Sequence, residues 1–242
     1  MKAVAIIPAR IGSTRMPRKM LREIAGEPLV GRVYKAVSMS PLLEQVIVAT
    51  DSEEIVEVCR QNGWRCQMTS PRHSSGTERV HEVAQSVPAD VYVNVQGDEP
   101  LTRPDHIRAL LAVMEDPKVQ VGTLRTVAAP EDVDNPGAVK VVSDSHGRVL
   151  YFSRATIPYD RDGGGIHVFK HLGFYAYRKP ALDAFVRWPQ SPLEVVERLE
   201  QLRFLENGID IYVGETPYDT IGIDTEDDVR RLERLLTAKK AD

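Results

Sequence analysis

Residues 8–19 read Pro-Ala-Arg-Ile-Gly-Ser-Thr-Arg-Met-Pro-Arg-Lys. Four cations, Arg10, Arg15, Arg18 and Lys19, alternate with glycine and hydroxyl side chains. Backbone N–H groups in such a loop can wrap phosphate oxygens while the cations neutralise their charge. The spacing matches neither GxxxxGK[ST] nor GxGxxG, so the loop is not a standard mononucleotide or dinucleotide fingerprint. A solvated basic loop is the bland alternative. A second segment, Asn94-Val95-Gln96-Gly97-Asp98-Glu99-Pro100, sets two adjacent carboxylates after an apolar run. Carboxylates of this kind suit Mg²⁺, a hard ion that takes one or two of them and fills its shell with phosphate oxygens. Gly97 allows close backbone approach to a ligand, though an ordinary acidic turn would read the same way. A third segment, residues 72–79 (RHSSGTER), offers small polar groups suited to a base or ribose. Ser75 to Glu78 also fits a capping box, and the two readings are compatible. Asp224 follows the short run Ile221-Gly222-Ile223 and reads either as a further metal carboxylate or as a cap for the last helix.

The elements that must position these groups follow from the pattern. Residues 3–8, 45–50, 65–69 and 91–95 are short apolar runs of strand length. Residues 28–38, 52–62, 77–86 and 104–115 have helical spacing, with Pro28 suited to a first turn and Ser52 to a cap. Strands alternating with helices indicate βαβ units and a parallel sheet, whose ligands sit beyond the carboxyl ends of the strands. The three segments all follow strands in this scheme. After residue 119 the rhythm changes. Strands are expected at 121–127, 138–142, 149–152 and 171–177, with a glycine-rich loop at 161–166. One strong helix is expected over 192–207 from Leu193, Val196, Leu199, Leu202 and Leu205. A strand at 209–213 and a helix at 226–239 close the chain.

Bulk properties narrow the class. The 242 residues are 42% hydrophobic and 27% charged, with a formal net charge of -4. That fits one α/β domain with a small insertion, and argues against a basic nucleic-acid-binding surface. Cys59 and Cys66 form neither a CxxC pair nor a zinc spacing and read as reduced thiols. The start, MKAVAIIPAR, holds an apolar run too short for a signal sequence or a membrane span, so a cytoplasmic protein without membrane partners is expected.

These segments carry a resemblance over nearly the whole chain. Residues 6–19 (IIPARIGSTRMPRK), 47–51 (IVATD), 74–79 (SSGTER), 93–100 (VNVQGDEP), 135–142 (NPGAVKVV), 150–162 (LYFSRATIPYDRD), 171–178 (HLGFYAYR), 191–203 (SPLEVVERLEQLR) and 222–228 (GIDTEDD) resemble the 3-deoxy-manno-octulosonate (Kdo) cytidylyltransferase family. The resemblance implies a nucleotide-diphospho-sugar transferase, Rossmann-like α/β fold. Its sheet would be mixed but mainly parallel, flanked by helices, with a mixed-strand dimerisation and sugar-binding insertion over roughly residues 120–190 of a single domain. It implies CTP and Kdo as substrates, Mg²⁺ as cofactor, CMP-Kdo and pyrophosphate as products for lipopolysaccharide synthesis, and a homodimer. Residue by residue, it places Arg10, Ser13, Arg15 and Lys19 on the triphosphate, and Ser75, Gly76, Thr77 and Gln96 around the nucleotide. It places Asp98 and Asp224 on the metal, and Gln96, Arg154, His171, Tyr175, Glu200 and Gln201 on the sugar acid. Arg15, Lys19, Asp98 and Asp224 would carry catalysis. Arg18 stands where many members of the family have glycine, and an outward-pointing side chain is expected; His73 and His81 read as structural. A cytidylyltransferase for another acid sugar (8-amino-Kdo or a sialic acid), a glycosyltransferase with a similar metal carboxylate pair, and a non-catalytic nucleotide-binding module stay open at this level.

Overall fold

The computed structural model describes residues 1–13 and 16–238. The chain forms two compact units. One comprises Met1–Pro104 and the segment from Thr220 onward; the other is Asp105–Asp219.

In the first unit, β1 (Ala3–Ala9) is buried at every position. A strand buried on both faces needs a continuous apolar run, which AVAIIPA supplies. A 3-10 turn (Lys19–Leu21) and a tight hairpin of β2 (Glu23–Ile24) and β3 (Glu27–Pro28) lead into α1 (Leu29–Ser38). Pro28 caps α1 rather than opening its first turn. Next come β4 (Gln45–Thr50), α2 (Glu53–Gln61), β5 (Cys66–Met68), α3 (Gly76–Ser86) and β6 (Val91–Val95). All pairings among β6, β1, β4 and β5 are parallel, in that spatial order. The strands predicted at 45–50 and 91–95 form with those bounds. Ser52 stands at the N-cap of α2 without a side-chain capping bond.

The second unit begins within α4 (Pro104–Val113) and continues through β7 (Val121–Val127), α5 (Pro130–Val133), β8 (Lys140–Ser143), β9 (Val149–Ser153) and β10 (Phe169–Tyr177). Helices α6 (Lys179–Phe185), α7 (Pro192–Glu197) and α8 (Leu202–Glu206) precede β11 (Ile211–Glu215). Here β10 runs antiparallel to β7 and β8, β8 antiparallel to β9, and β11 parallel to β7. The expected change from parallel to mixed strands is therefore present, as is the helix-flanked, mainly parallel sheet of the first unit.

The single helix expected over 192–207 is two helices. The chain breaks at Arg198, whose φ of 53° is left-handed, and α8 starts again at Leu202. The apolar spacing misleads because it is not one inward stripe: Leu199 and Leu202 are buried, whereas Val196 is 80% exposed. A buried ion pair spans the break, with Arg203 Nε donating to Glu194 Oε2 at 2.7 Å and Nη2 to Oε1 at 2.5 Å. Two parallel charge-assisted bonds hold the two short helices in one geometry that helical periodicity alone would not predict.

The last helix, α9 (Glu226–Ala238), returns to the first unit. Val229 and Leu232 pack there with Met16, Ile24, Leu29 and Ile223. The predicted end at Lys239 lies outside the described residues. No described helix is long and apolar enough to cross a membrane.

Candidate active site

The carboxyl ends of β1 and β6 and the start of α3 border a polar cleft of about 340 Å³ in the first unit. Arg10, Ser13, Lys19, Ser75, Gly76, Gln96, Asp98 and Asp224 line it. The two predicted metal carboxylates are brought together by backbone. The Ile223 N–H donates to the Asp98 carbonyl at 2.9 Å, which sets Asp224 beside Asp98 across a long stretch of sequence. Gly97 lets the turn after β6 pass close to the end of β1: a Cβ there would lie 2.8 Å from the Pro8 carbonyl oxygen, closer than real contacts allow.

Lys19 joins the pair. Its ammonium donates to Asp98 Oδ2 at 2.6 Å and to Asp224 Oδ1 at 2.9 Å, and the residue is only 7% exposed. Burial alone would lower its pKa, but the charge and hydrogen bonds of Asp98 and Asp224 outweigh burial and hold it above the ordinary lysine value. Asp224 is not the helix cap. The Thr225 hydroxyl accepts the Asp228 N–H at 3.3 Å, and the Asp228 carboxylate accepts the Asp224 and Thr225 N–H groups. Capping is thus complete without the Asp224 side chain, which is left to face the cleft.

The start of α3 supplies another wall. Ser75 is its N-cap and accepts the Glu78 N–H at 3.2 Å, one half of the expected capping box. The other half is displaced: the Glu78 carboxylate accepts from Ser74 N and Oγ instead of the Ser75 N–H. Thr77 is fully buried in the first helical turn and is not among the cleft-lining residues. Ser13 accepts the Met16 N–H at 3.3 Å. Arg15 lies outside the described residues. Arg18 points to the surface, where it pairs with Glu54.

Sequence reasoning passed over several lining residues. His73, read as structural, lines the cleft and bonds Glu82, with Glu78 3.7 Å away. Arg79 lines it too, and Asp51 stands behind Arg79. Both belong to segments already singled out, 47–51 and 74–79, but a single charged residue in a strand-end or helix motif carries no spacing signal of its own.

Of the residues expected on the sugar acid, Gln96 lines the cleft of the first unit, and Arg154, His171, Tyr175, Glu200 and Gln201 fall in the second unit. Arg154 is held by backbone carbonyls: Nε donates to Glu197 at 2.8 Å, Nη1 to Pro136 at 2.9 Å and Nη2 to Arg198 at 3.4 Å. It therefore braces the chain where α7 breaks, just before Glu200 and Gln201. His171 Nε2 lies 3.0 Å from the Thr123 hydroxyl, and its ring contacts Phe152 and Tyr175. Burial pushes its pKa down to about 3, so the imidazole is neutral at physiological pH. Burial, with Tyr177 and the Glu200 carboxylate adding to it, pushes the Tyr175 phenol well above its ordinary value. Gln201 is buried. His171, Tyr175 and Glu200 thus form one interacting group.

Among the described residues no set of three or more His, Cys, Asp and Glu side chains converges as a metal site. Asp98 and Asp224 nevertheless fit Mg²⁺. They share one cation already, and Mg²⁺ characteristically takes one or two carboxylates and completes its shell with water and phosphate oxygens. A parallel sheet with a cationic loop and paired carboxylates at its strand ends defines a nucleotide-binding α/β protein.

Comparison with known proteins narrows that class. The family profile described as cytidylyltransferase matches residues 4–211. The 3-deoxy-manno-octulosonate cytidylyltransferase of Koribacter versatilis (strain Ellin345) is 65% identical over 98% of this chain and 91% of its own length. That of Acidobacterium capsulatum is 57% identical over 99% of this chain and 98% of its own. A solved CMP:2-keto-3-deoxy-manno-octonic acid synthetase, complexed with CTP, superposes with a TM-score of 0.94 at 38% identity, covering 99% of this chain and 100% of that one. The chain belongs to the cytidylyltransferase family, and within it to the 3-deoxy-manno-octulosonate cytidylyltransferases.

Proposed function

We propose that this enzyme transfers CMP from CTP to the anomeric 2-hydroxyl of Kdo and releases pyrophosphate, supplying CMP-Kdo for lipopolysaccharide synthesis. Family membership over the full chain supports the reaction. The observation that carries the mechanism is the buried Lys19 ammonium held between Asp98 and Asp224 in the cleft. Reaction at the α-phosphorus needs positioning and charge stabilisation more than a protein nucleophile, and the cleft offers groups for both.

Arg10, Ser13, Arg15 and Lys19 are assigned to the triphosphate, with Arg15 and Lys19 holding the pyrophosphate as it leaves. Ser75, Gly76, Thr77 and Gln96 surround the nucleoside, Thr77 acting from its buried position. Asp98 and Asp224 would hold Mg²⁺, which when bound would neutralise phosphate charge and ease deprotonation of the attacking hydroxyl. Lys19 donates to both carboxylates and keeps them side by side. Substrate phosphates then offer the ammonium a second set of oxygens. Gln96, Arg154, His171, Tyr175, Glu200 and Gln201 are assigned to the sugar acid. A neutral His171 can donate or accept a hydrogen bond without adding charge.

A homodimer built through roughly residues 120–190 and a cytoplasmic setting complete the reading. Both are supported by the resemblance of the sequence to its family, and light scattering of the purified chain tests the first. The test of function is pyrophosphate release on mixing enzyme, CTP and Mg²⁺ with Kdo, 8-amino-Kdo or a sialic acid. Release with Kdo and little with the others is expected. Release with another sugar alone would move the substrate, and CTP binding without release would leave only a binding module.

A further inference from the structure

The ladder between β1 and β4 ends where Ala9 faces Thr50. Two residues beyond Ala9, the Ile11 N–H donates at 3.1 Å to the side chain of Asp51, the residue after Thr50, through Oδ1. The other carboxylate oxygen, Oδ2, accepts from Arg79 Nη2 at 3.0 Å. Arg79 is itself 3% exposed. Its Nη1 donates to the Thr69 hydroxyl, which donates in turn to the Thr50 carbonyl at 3.0 Å. One carboxylate thus ties the start of the cationic loop to the first turns of α3.

Both tied segments are walls of the nucleotide cleft. Arg10 and Gly12, on either side of Ile11, line it, as do Ser75 and Gly76 on α3. Among the described residues, a side chain at Gly12 would meet nothing within 4 Å. A hydrogen bond to an ionised carboxylate is short and directional, and a second charge-assisted bond on the same carboxylate fixes its orientation. Triphosphate groups must be held to within a fraction of an ångström for in-line attack, which loops achieve only through such support.

We infer that Asp51 is the positioning residue that sets the spacing of the two nucleotide-binding walls, acting through the Ile11 amide on one side and Arg79 on the other. The inference deepens the cytidylyltransferase reading and rests on it for the choice of CTP as probe. Asp51 touches no reacting atom in this role. Its work is to hand the loop from the sheet to the cleft at one fixed point, with a side chain where a continuing strand would have used backbone.

The test separates the loop anchor from the ion pair. Three variants share the loss of the guanidinium: Arg79→Met, Asp51→Asn with Arg79→Met, and Asp51→Ala with Arg79→Met. Asparagine keeps an acceptor for the Ile11 N–H; alanine does not. Calorimetric CTP binding should be alike in the first two and about tenfold weaker in the third, the scale of one charge-assisted hydrogen bond. In turnover, the third should show a raised KM for CTP with an unchanged KM for Kdo. Equal CTP affinity in all three, or a loss in which both KM values and the melting temperature move together, would overturn the proposal. Amide hydrogen exchange in the unmutated enzyme gives a second measurement that needs no variant. The Ile11 amide should be protected, and exchange at the rate of an exposed loop would also overturn it. If the unmutated enzyme does not bind CTP, the functional reading falls, while the Ile11 exchange still decides the anchor.

Discussion

The polar cleft of the first unit and the residues assigned to the sugar acid in the second use charge in opposite ways. In the cleft, Lys19, Asp98 and Asp224 satisfy one another, and Arg10 is exposed. In the second unit, Arg154 spends its guanidinium on three backbone carbonyls, His171 is kept neutral by burial, and Tyr175 and Gln201 are buried. The cleft groups sit on short loops after parallel strands, where side chains can turn to a ligand with little change in the core. The second group is built into a mixed sheet and a broken helix, so its side chains also hold the fold. Substitutions should therefore separate chemistry from stability in the first region and mix them in the second.

The largest effect expected is on Asp98→Asn. Turnover should fall by roughly 100-fold or more, the scale seen when preorganised charge stabilisation is removed, with little change in melting temperature. Near-normal pyrophosphate release at saturating Mg²⁺ would break the comparison at its strongest point. The two arginines sharpen it further. Arg10→Ala should weaken CTP binding about tenfold while changing stability by less than about 0.5 kcal/mol, as for other exposed sites. Arg154→Met should raise the KM for Kdo and also cost about 2 kcal/mol of stability, because backbone acceptors lose their donors. Denaturant melts of both, beside CTP and Kdo kinetics, read the contrast directly. Should Arg154→Met leave stability untouched, its carbonyl contacts do no structural work.

A smaller effect concerns Lys19→Met, which removes the ammonium that Asp98 and Asp224 share. Their side chains are 25% and 41% exposed, so water screens much of the repulsion. About 1 kcal/mol of stability should be lost in metal-free buffer. Mg²⁺ without nucleotide should then raise the melting temperature of this variant more than that of the unmutated enzyme. Equal shifts would mean that Lys19 does not stand in for the metal.

The smallest effect is a pH dependence. His171 has a folded pKa near 3, held down by burial, against ~6.5 for an exposed histidine. As pH falls below the ordinary histidine value, the unfolded chain takes up the proton first. Stability is then lost progressively down to the folded pKa. His171→Gln should flatten that part of the stability profile relative to the unmutated enzyme, as equilibrium melts between pH 7 and pH 4 would record. Parallel profiles would place the titration elsewhere.

Much of the first unit was legible before any coordinates. Its strands are short, mostly apolar and punctuated by polar loops, a pattern that survives folding because both faces of a parallel sheet are covered. The loop at 8–19 and the turn at 96–98 followed from the same logic. After α4, expected at 104–115, the second unit was legible as strands but not as helices. The break at Arg198 depends on a buried Glu194–Arg203 pair and on Arg154 reaching the α7 carbonyls, and neither leaves a periodic trace.

By itself the sequence determined the alternation of strands and helices in the first unit and singled out the basic loop and the acidic turn as places for phosphate and metal, because apolar period and residue type are local properties; the reaction and the sugar-acid residues were implied by resemblance to a family. Only the tertiary structure decided that Asp224 faces Lys19 while Thr225 caps the helix, that one long helical pattern becomes two helices, and that Asp51 joins the cationic loop to α3. The Lys19–Asp224 pair, the Arg154 brace at the helix break and the Asp51 tie each join residues far apart in the chain, and such partners are chosen by the folded backbone, not by spacing along it.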